Sequence, residues 1–97
     1  MEEKILGAFK IISTPQRIEI LRLIIKRRGS SFILNDLKSE ITQVTIVISN
    51  ATLVTTLQLF HTRHLLLATP APRSEKGRPP IQHRLAGAVT DLIDSSH

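Results

Sequence analysis

The stretch Ser49-Asn50-Ala51-Thr52-Leu53-Val54-Thr55-Thr56-Leu57-Gln58-Leu59-Phe60-His61-Thr62-Arg63-His64 decides the fold. Ser49 is a residue type that caps helices by accepting from an orphan amide of the first turn. Leu53, Leu57 and Phe60 then fall at i, i+4 and i+7, one face of a helix, while Ala51, Thr55, Gln58 and Thr62 face the other way. Between Asn50 and Thr62 there is no Asp, Glu, Lys or Arg. The spacing therefore predicts a helix from Ser49 to Arg63 with an apolar face for the core and an uncharged polar face for something else.

Working outward toward the N-terminus, Val44-Thr45-Ile46-Val47-Ile48 is almost wholly β-branched and predicts a short strand or extended segment. Ile33, Leu34, Leu37 and Ile41 mark a short helix before it. Upstream, Ser13-Thr14-Pro15-Gln16 reads as a helix start, because Pro at the first helical position gives up no needed donor. The helix it opens is predicted from about Pro15 to Arg28. Ile18, Ile20, Leu21, Leu23, Ile24 and Ile25 make it the core helix, and Lys26-Arg27-Arg28-Gly29 favours its negative end. Ile5, Phe9 and Ile12 outline a first helix. Toward the C-terminus, Leu65 to Ala71 and Ile81 to Leu85 read as two strands of a hairpin around Arg73-Ser74-Glu75-Lys76-Gly77-Arg78. Leu85, Val89, Leu92 and Ile93 trace the stripe of a terminal helix, expected either to fold back on the first helix or to form a self-association seam.

This order predicts a mainly α fold with a small β-hairpin, a winged helix-turn-helix with a three-helix core plus wing. All 97 residues form a single domain, with core and wing over 5–85 and a short C-terminal helix over 86–97. Leu, Ile, Val and Phe supply 33 residues, far above the range of disordered chains, so a packed core is expected. Cysteine is absent, which removes disulfides, thiolate nucleophiles and any metal site built on Cys. The acidic start Met1-Glu2-Glu3-Lys4 is no secretory signal and no apolar run spans a bilayer, so a soluble, cytoplasmic protein without membrane contact is expected.

The formal net charge is +5, and from Arg63 to Arg84 five cations (Arg63, Arg73, Lys76, Arg78 and Arg84) face one acid, Glu75. Such a cluster suits a polyanion, although a small basic protein also uses charge simply to stay soluble. His61-x-x-His64 places two imidazoles at i, i+3, which is short of a metal site without a third ligand. No nucleophile with an adjacent base, no phosphate-cradling glycine loop and no convergent carboxylate pair is present, so neither an enzyme nor a cofactor or metal is expected.

Two stretches resemble the DNA-binding domain of the ferric uptake regulator family. Thr14-Pro15-Gln16-Arg17 with Ile20-Leu21 is similar to the family's T-P-Q-R-x-x-I-L, and Ser49 to Leu57 is similar to its S-x-A-T-V-Y-R-T-L recognition helix, matched at Ser49, Ala51, Thr52, Thr56 and Leu57. The resemblance covers roughly Ile5 to Leu85 and implies a winged helix that binds double-stranded DNA and regulates transcription. Where the family carries its DNA-facing Tyr-Arg pair this chain has Val54-Thr55, and where a Gly usually ends that helix it has His64. His tolerates the left-handed conformation such a turn needs. The family's metal-sensing and dimerisation domain has no counterpart here, so iron or zinc sensing is not implied.

The expected DNA contacts are Ser49, Asn50, Ala51, Thr52, Val54, Thr55 and Gln58 on the helix and Arg73, Lys76 and Arg78 on the wing. Asn50 could pair with adenine, Thr and Gln with base edges or phosphates, and Ala51 or Val54 with a thymine methyl. The wing cations are expected to reach backbone phosphates or a narrow minor groove, the alternative being a charged loop that shields a hairpin edge. Arg17, in a first turn where a cation is disfavoured, calls for a partner, either a phosphate or a carboxylate such as Glu40. Half-sites one turn apart would require a homodimer, and that is the expected assembly. The competing expectation is a winged-helix protein-interaction module whose neutral helix face docks another protein and binds no DNA.

Overall fold

A computed structural model of the chain describes residues 1–27, 30–70 and 81–95. Its elements run α1 (Glu2–Ala8), α2 (Pro15–Ile25), α3 (Leu34–Ile41), α4 (Asn50–Thr62), β1 (Leu66–Pro70), β2 (Ile81–Leu85) and α5 (Gly87–Ser95). The chain is thus mainly helical with one small antiparallel hairpin, the arrangement of a winged helix-turn-helix.

Three helix starts and two helix ends have a local cause. Thr14, in extended conformation, accepts from the Arg17 amide through its hydroxyl (3.3 Å), and Pro15 follows at the first helical position. Ser49 caps α4 in the same way, accepting from the Thr52 amide at 3.1 Å. Ile48 before that cap and Leu53 inside the helix are both buried, the positions of a hydrophobic staple. Ile33 brings no side-chain acceptor to α3, but the Asp36 carboxylate accepts from the Ile33 amide (2.9 Å).

Two helices end in the same reciprocal pair of hydrogen bonds. At the end of α1, the Ile11 amide donates to the Leu6 carbonyl (2.8 Å) and the Lys10 amide to Gly7 (3.0 Å), with Lys10 at φ 59°. After α4, the Leu65 amide donates to Phe60 (2.9 Å) and the His64 amide to His61 (3.0 Å), with His64 at φ 63°. Both are Schellman motifs whose left-handed position is filled by a side-chain-bearing residue instead of glycine.

Three sequence expectations change. The first helix runs over Glu2–Ala8 instead of Ile5 to Ile12; the Schellman turn at Lys10 rotates the chain so that Ile11 is buried and Ile12 is 76% exposed. The core helix stops at Ile25, and Arg28 and Gly29 of its expected cap lie outside the described residues. The β-branched run from Val44 to Ile48 forms no strand. It keeps the period-2 alternation of one, with Val44 and Ile46 half-buried, Ile48 buried and Thr45 and Val47 exposed, but makes no strand pairing among the described residues. The β2 residue that bonds outside the hairpin is His83, whose amide and carbonyl bridge to Phe32.

The helix α2 is the hub, packing on α1, α3, α4 and β2 through buried Ile20, Leu21, Leu23 and Ile24. Leu53, Leu57 and Phe60 of α4 meet this core, as the helical spacing requires. The hairpin register pairs Leu66 with Leu85, and both are buried at its root. The terminal stripe folds back: Leu85 and Val89 enter the same core, Ile93 packs against it, and Leu92 borders clefts shared with Met1, Lys4 and Ile5 and with Ala8 and Phe9 of α1. Among the described residues, no helix is long and apolar enough to cross a membrane.

Candidate nucleic-acid interface

All seven helix residues singled out from the sequence lie on the outward side of α4. Ser49, Asn50, Ala51, Val54, Thr55 and Gln58 are exposed and Thr52 is half-buried, while Leu53, Thr56 and Leu57 between them are buried. The division follows from the helical repeat: residues three and four apart share a face, so burying Leu53, Leu57 and Phe60 turns the intervening positions outward. Val54 keeps 37% of its surface, and Val47, just before the cap, keeps 90%. Val47, Ala51 and Val54 are thus apolar side chains exposed at the start of an otherwise polar face.

A groove joins this face to the start of α2, lined by Thr14, Gln16 and Arg17 on one side and Ala51, Thr52, Thr55 and Thr56 on the other. None of its residues is acidic. Arg17 does not meet Glu40: one of its terminal nitrogens donates to the Ile12 carbonyl (3.0 Å), and Glu40 is hydrogen-bonded to Arg27. Among the described residues Arg17 makes no ion pair with a carboxylate, and a fork of five donors with one backbone partner retains capacity for an anion. Thr14 and Gln16 were not among the sequence-predicted contacts, although the motif Thr14-Pro15-Gln16-Arg17 that places them was legible.

Arg73, Lys76 and Arg78 lie outside the described residues. The strands leading toward them are described, with Leu67 opposite Arg84 and Ala68 opposite His83. Successive residues of a strand point to opposite faces, so Arg84, which is exposed, stands on the face opposite to His83.

His61 and His64 part company. His64 occupies the exposed left-handed position after α4, whereas His61 points to the hairpin, its Nε2 lying 2.6 Å from Nδ1 of His83. Burial lowers the pKa of both imidazoles below the ordinary histidine value, and for His83 the nearby His61 lowers it further; at His61 a hydrogen bond to the Leu66 backbone works partly against the shift. The His83 ring also lies 5.5 Å from that of Phe32, and the Arg27 guanidinium stands over the Phe32 ring, 5.8 Å from its centre. This pairing spans 22 residues of chain and has no local sequence signal.

Comparison with known protein families, with characterised proteins and with solved structures gives no match.

Proposed function

We propose that this chain binds double-stranded DNA as a winged-helix transcriptional regulator, α4 entering the major groove. The observation that carries the reading is the acid-free groove in which Ala51, Thr52 and Thr55 of α4 face Thr14, Gln16 and Arg17 at the start of α2. Duplex DNA repels carboxylates and rewards hydroxyl, amide and guanidinium donors, and a helix is the element that fits its major groove. The two motifs shared with the ferric uptake regulator's DNA-binding domain support the same reading, because they fall on the two helices that line the groove. With Val54-Thr55 in place of a Tyr-Arg pair, base contact relies on Asn50, Thr55 and Gln58 and on the methyl-sized surfaces of Ala51 and Val54, a set that favours A·T-rich sites over guanine. Arg73, Lys76 and Arg78 are assigned to the phosphate backbone. The protomer works as a homodimer, so that two such surfaces meet half-sites one helical turn apart.

The test is a mobility-shift series on random and A·T-rich duplexes at several salt concentrations, with the wild type and with a variant in which Arg73, Lys76 and Arg78 are all Ala. If about four phosphates are neutralised per protomer, log affinity falls against log salt with a slope near about −3.6, and the triple variant flattens it. Unchanged retardation of the variant removes the wing from the mechanism. Absence of retardation by the wild type refutes DNA binding and leaves the neutral α4 face, with exposed Val54 and Val47, as a protein-docking surface.

A further inference from the structure

We infer that His61 and His83 form a proton-operated latch that holds the outer half of the hairpin against the end of α4. Among the described residues the root of the hairpin carries its buried side chains, Leu65, Leu66 and Leu85, whereas Leu67, Ala68, Thr69 and Ile81 are exposed and Gln82 and His83 are half-buried. Beyond the root, His83 is the residue that ties β2 to the body. Its side chain meets His61 at 2.6 Å, and its backbone bridges Phe32 in both directions, at 2.7 and 2.9 Å.

The chemistry of the contact makes it conditional on protonation. Two neutral imidazoles share one N–H between a donor and an acceptor nitrogen, and one added proton still leaves a donor facing an acceptor. With both rings charged, Nε2 of His61 and Nδ1 of His83 both carry hydrogen, so a hydrogen bond becomes a contact between two like-charged donors. The two sites therefore titrate as a coupled pair. At His61 the hydrogen bond to the Leu66 backbone favours the charged ring, but burial outweighs it, and among the described residues no charged group offsets the repulsion. From α4, Arg63 and His64 are exposed at the helix end; from the hairpin, Arg84 stands on the opposite face; from the Phe32 side, the charged group is Arg27, already engaged by Glu40. Among the described residues no carboxylate contributes to the field at either ring, and burial further disfavours the doubly charged state.

The proposal does not depend on DNA binding, and its test needs no ligand. Histidine ring resonances and the exchange rates of the Phe32 and His83 amides, corrected for intrinsic pH dependence, are followed from pH 7.5 to 4.5 in the wild type and in His61→Gln. Glutamine keeps a hydrogen-bonding group opposite His83 but cannot charge. Expected in the wild type are two linked titration steps below the ordinary histidine range, each ring's resonance responding to both. At least a tenfold loss of amide protection at Phe32 and His83 should accompany the second step, while Leu65 and Ala86 near the hairpin root stay protected. In His61→Gln that loss disappears. His83→Phe, which retains an aromatic ring against Phe32, gives the same answer if the first variant fails to fold. Independent single-site titration curves, or the same acid loss in both the wild type and a folded variant, overturn the latch.

Discussion

Replacing Lys10 and His64 by glycine, singly and together, should stabilise the protein. Each ends its helix in a Schellman turn at φ 59° and 63°, a region where a β-carbon crowds the following carbonyl at a cost of about 1–2 kcal/mol for an ordinary side chain. Glycine removes that strain but adds freedom to the unfolded chain, worth about 0.4–1 kcal/mol in the other direction. Both side chains are exposed and neither makes a side-chain hydrogen bond or ion pair among the described residues, so no contact is lost. The net gain should be about 1 kcal/mol for Lys10→Gly. It should be about 0.5 kcal/mol for His64→Gly, because His tolerates the left-handed region better than Lys. The chain has no Trp or Tyr, so helix content followed by far-ultraviolet circular dichroism in urea is the assay. With an m-value of about 1 kcal/mol/M the midpoint for Lys10→Gly should rise by about 1 M at constant slope. The controls are Lys10→Ala and His64→Ala, which keep the β-carbon and should leave the midpoint nearly where it was. Glycine variants no more stable than their alanine counterparts would refute the assignment of strain to these two positions.

Three further outcomes are expected. Because the folded pKa values of His61 and His83 are depressed, the unfolded state binds more protons below its own histidine pKa of about 6.5; stability is full above that pH and declines as the pH falls through it, and urea midpoints for His61→Gln should show a flatter acid limb than the wild type. Leu53→Ala, at a fully buried position of α4, should cost about 2–5 kcal/mol, whereas Ser49→Ala, which removes only a cap, should cost about 1 kcal/mol; equal effects from the two would contradict the burial pattern. If DNA is bound, Arg17→Ala should lower the magnitude of the log-log salt slope by about 0.9 without altering the preference among sequences, and a changed preference would mean that Arg17 reads bases.

The helices and the hairpin could be read from the chain because each has a local cause. Leu53, Leu57 and Phe60 repeat at helical spacing, Thr14-Pro15 and Ser49 carry their own capping chemistry, and the strands flank a stretch rich in Pro and Gly. The outward face of α4 followed directly, since a helix with one buried stripe has only one other side. What the local signals left open or misplaced were the end of the first helix, set by the turn at Lys10, and the run from Val44 to Ile48, whose β-branched residues cannot by themselves supply a partner strand.

The rest was decided by tertiary structure. Arg17 called for a phosphate or a carboxylate such as Glu40; how α2 and α3 pack delivers Glu40 to Arg27 instead and leaves Arg17 in the groove beside α4. His61 and His64 lie three residues apart at a helix end, yet the Schellman turn sends His64 to solvent and the fold of the hairpin brings His83 to His61. Periodicity and capping act within a few residues, so sequence determines elements and their faces. Which charge or imidazole meets which depends on how those elements dock, and that is fixed only when the common core closes.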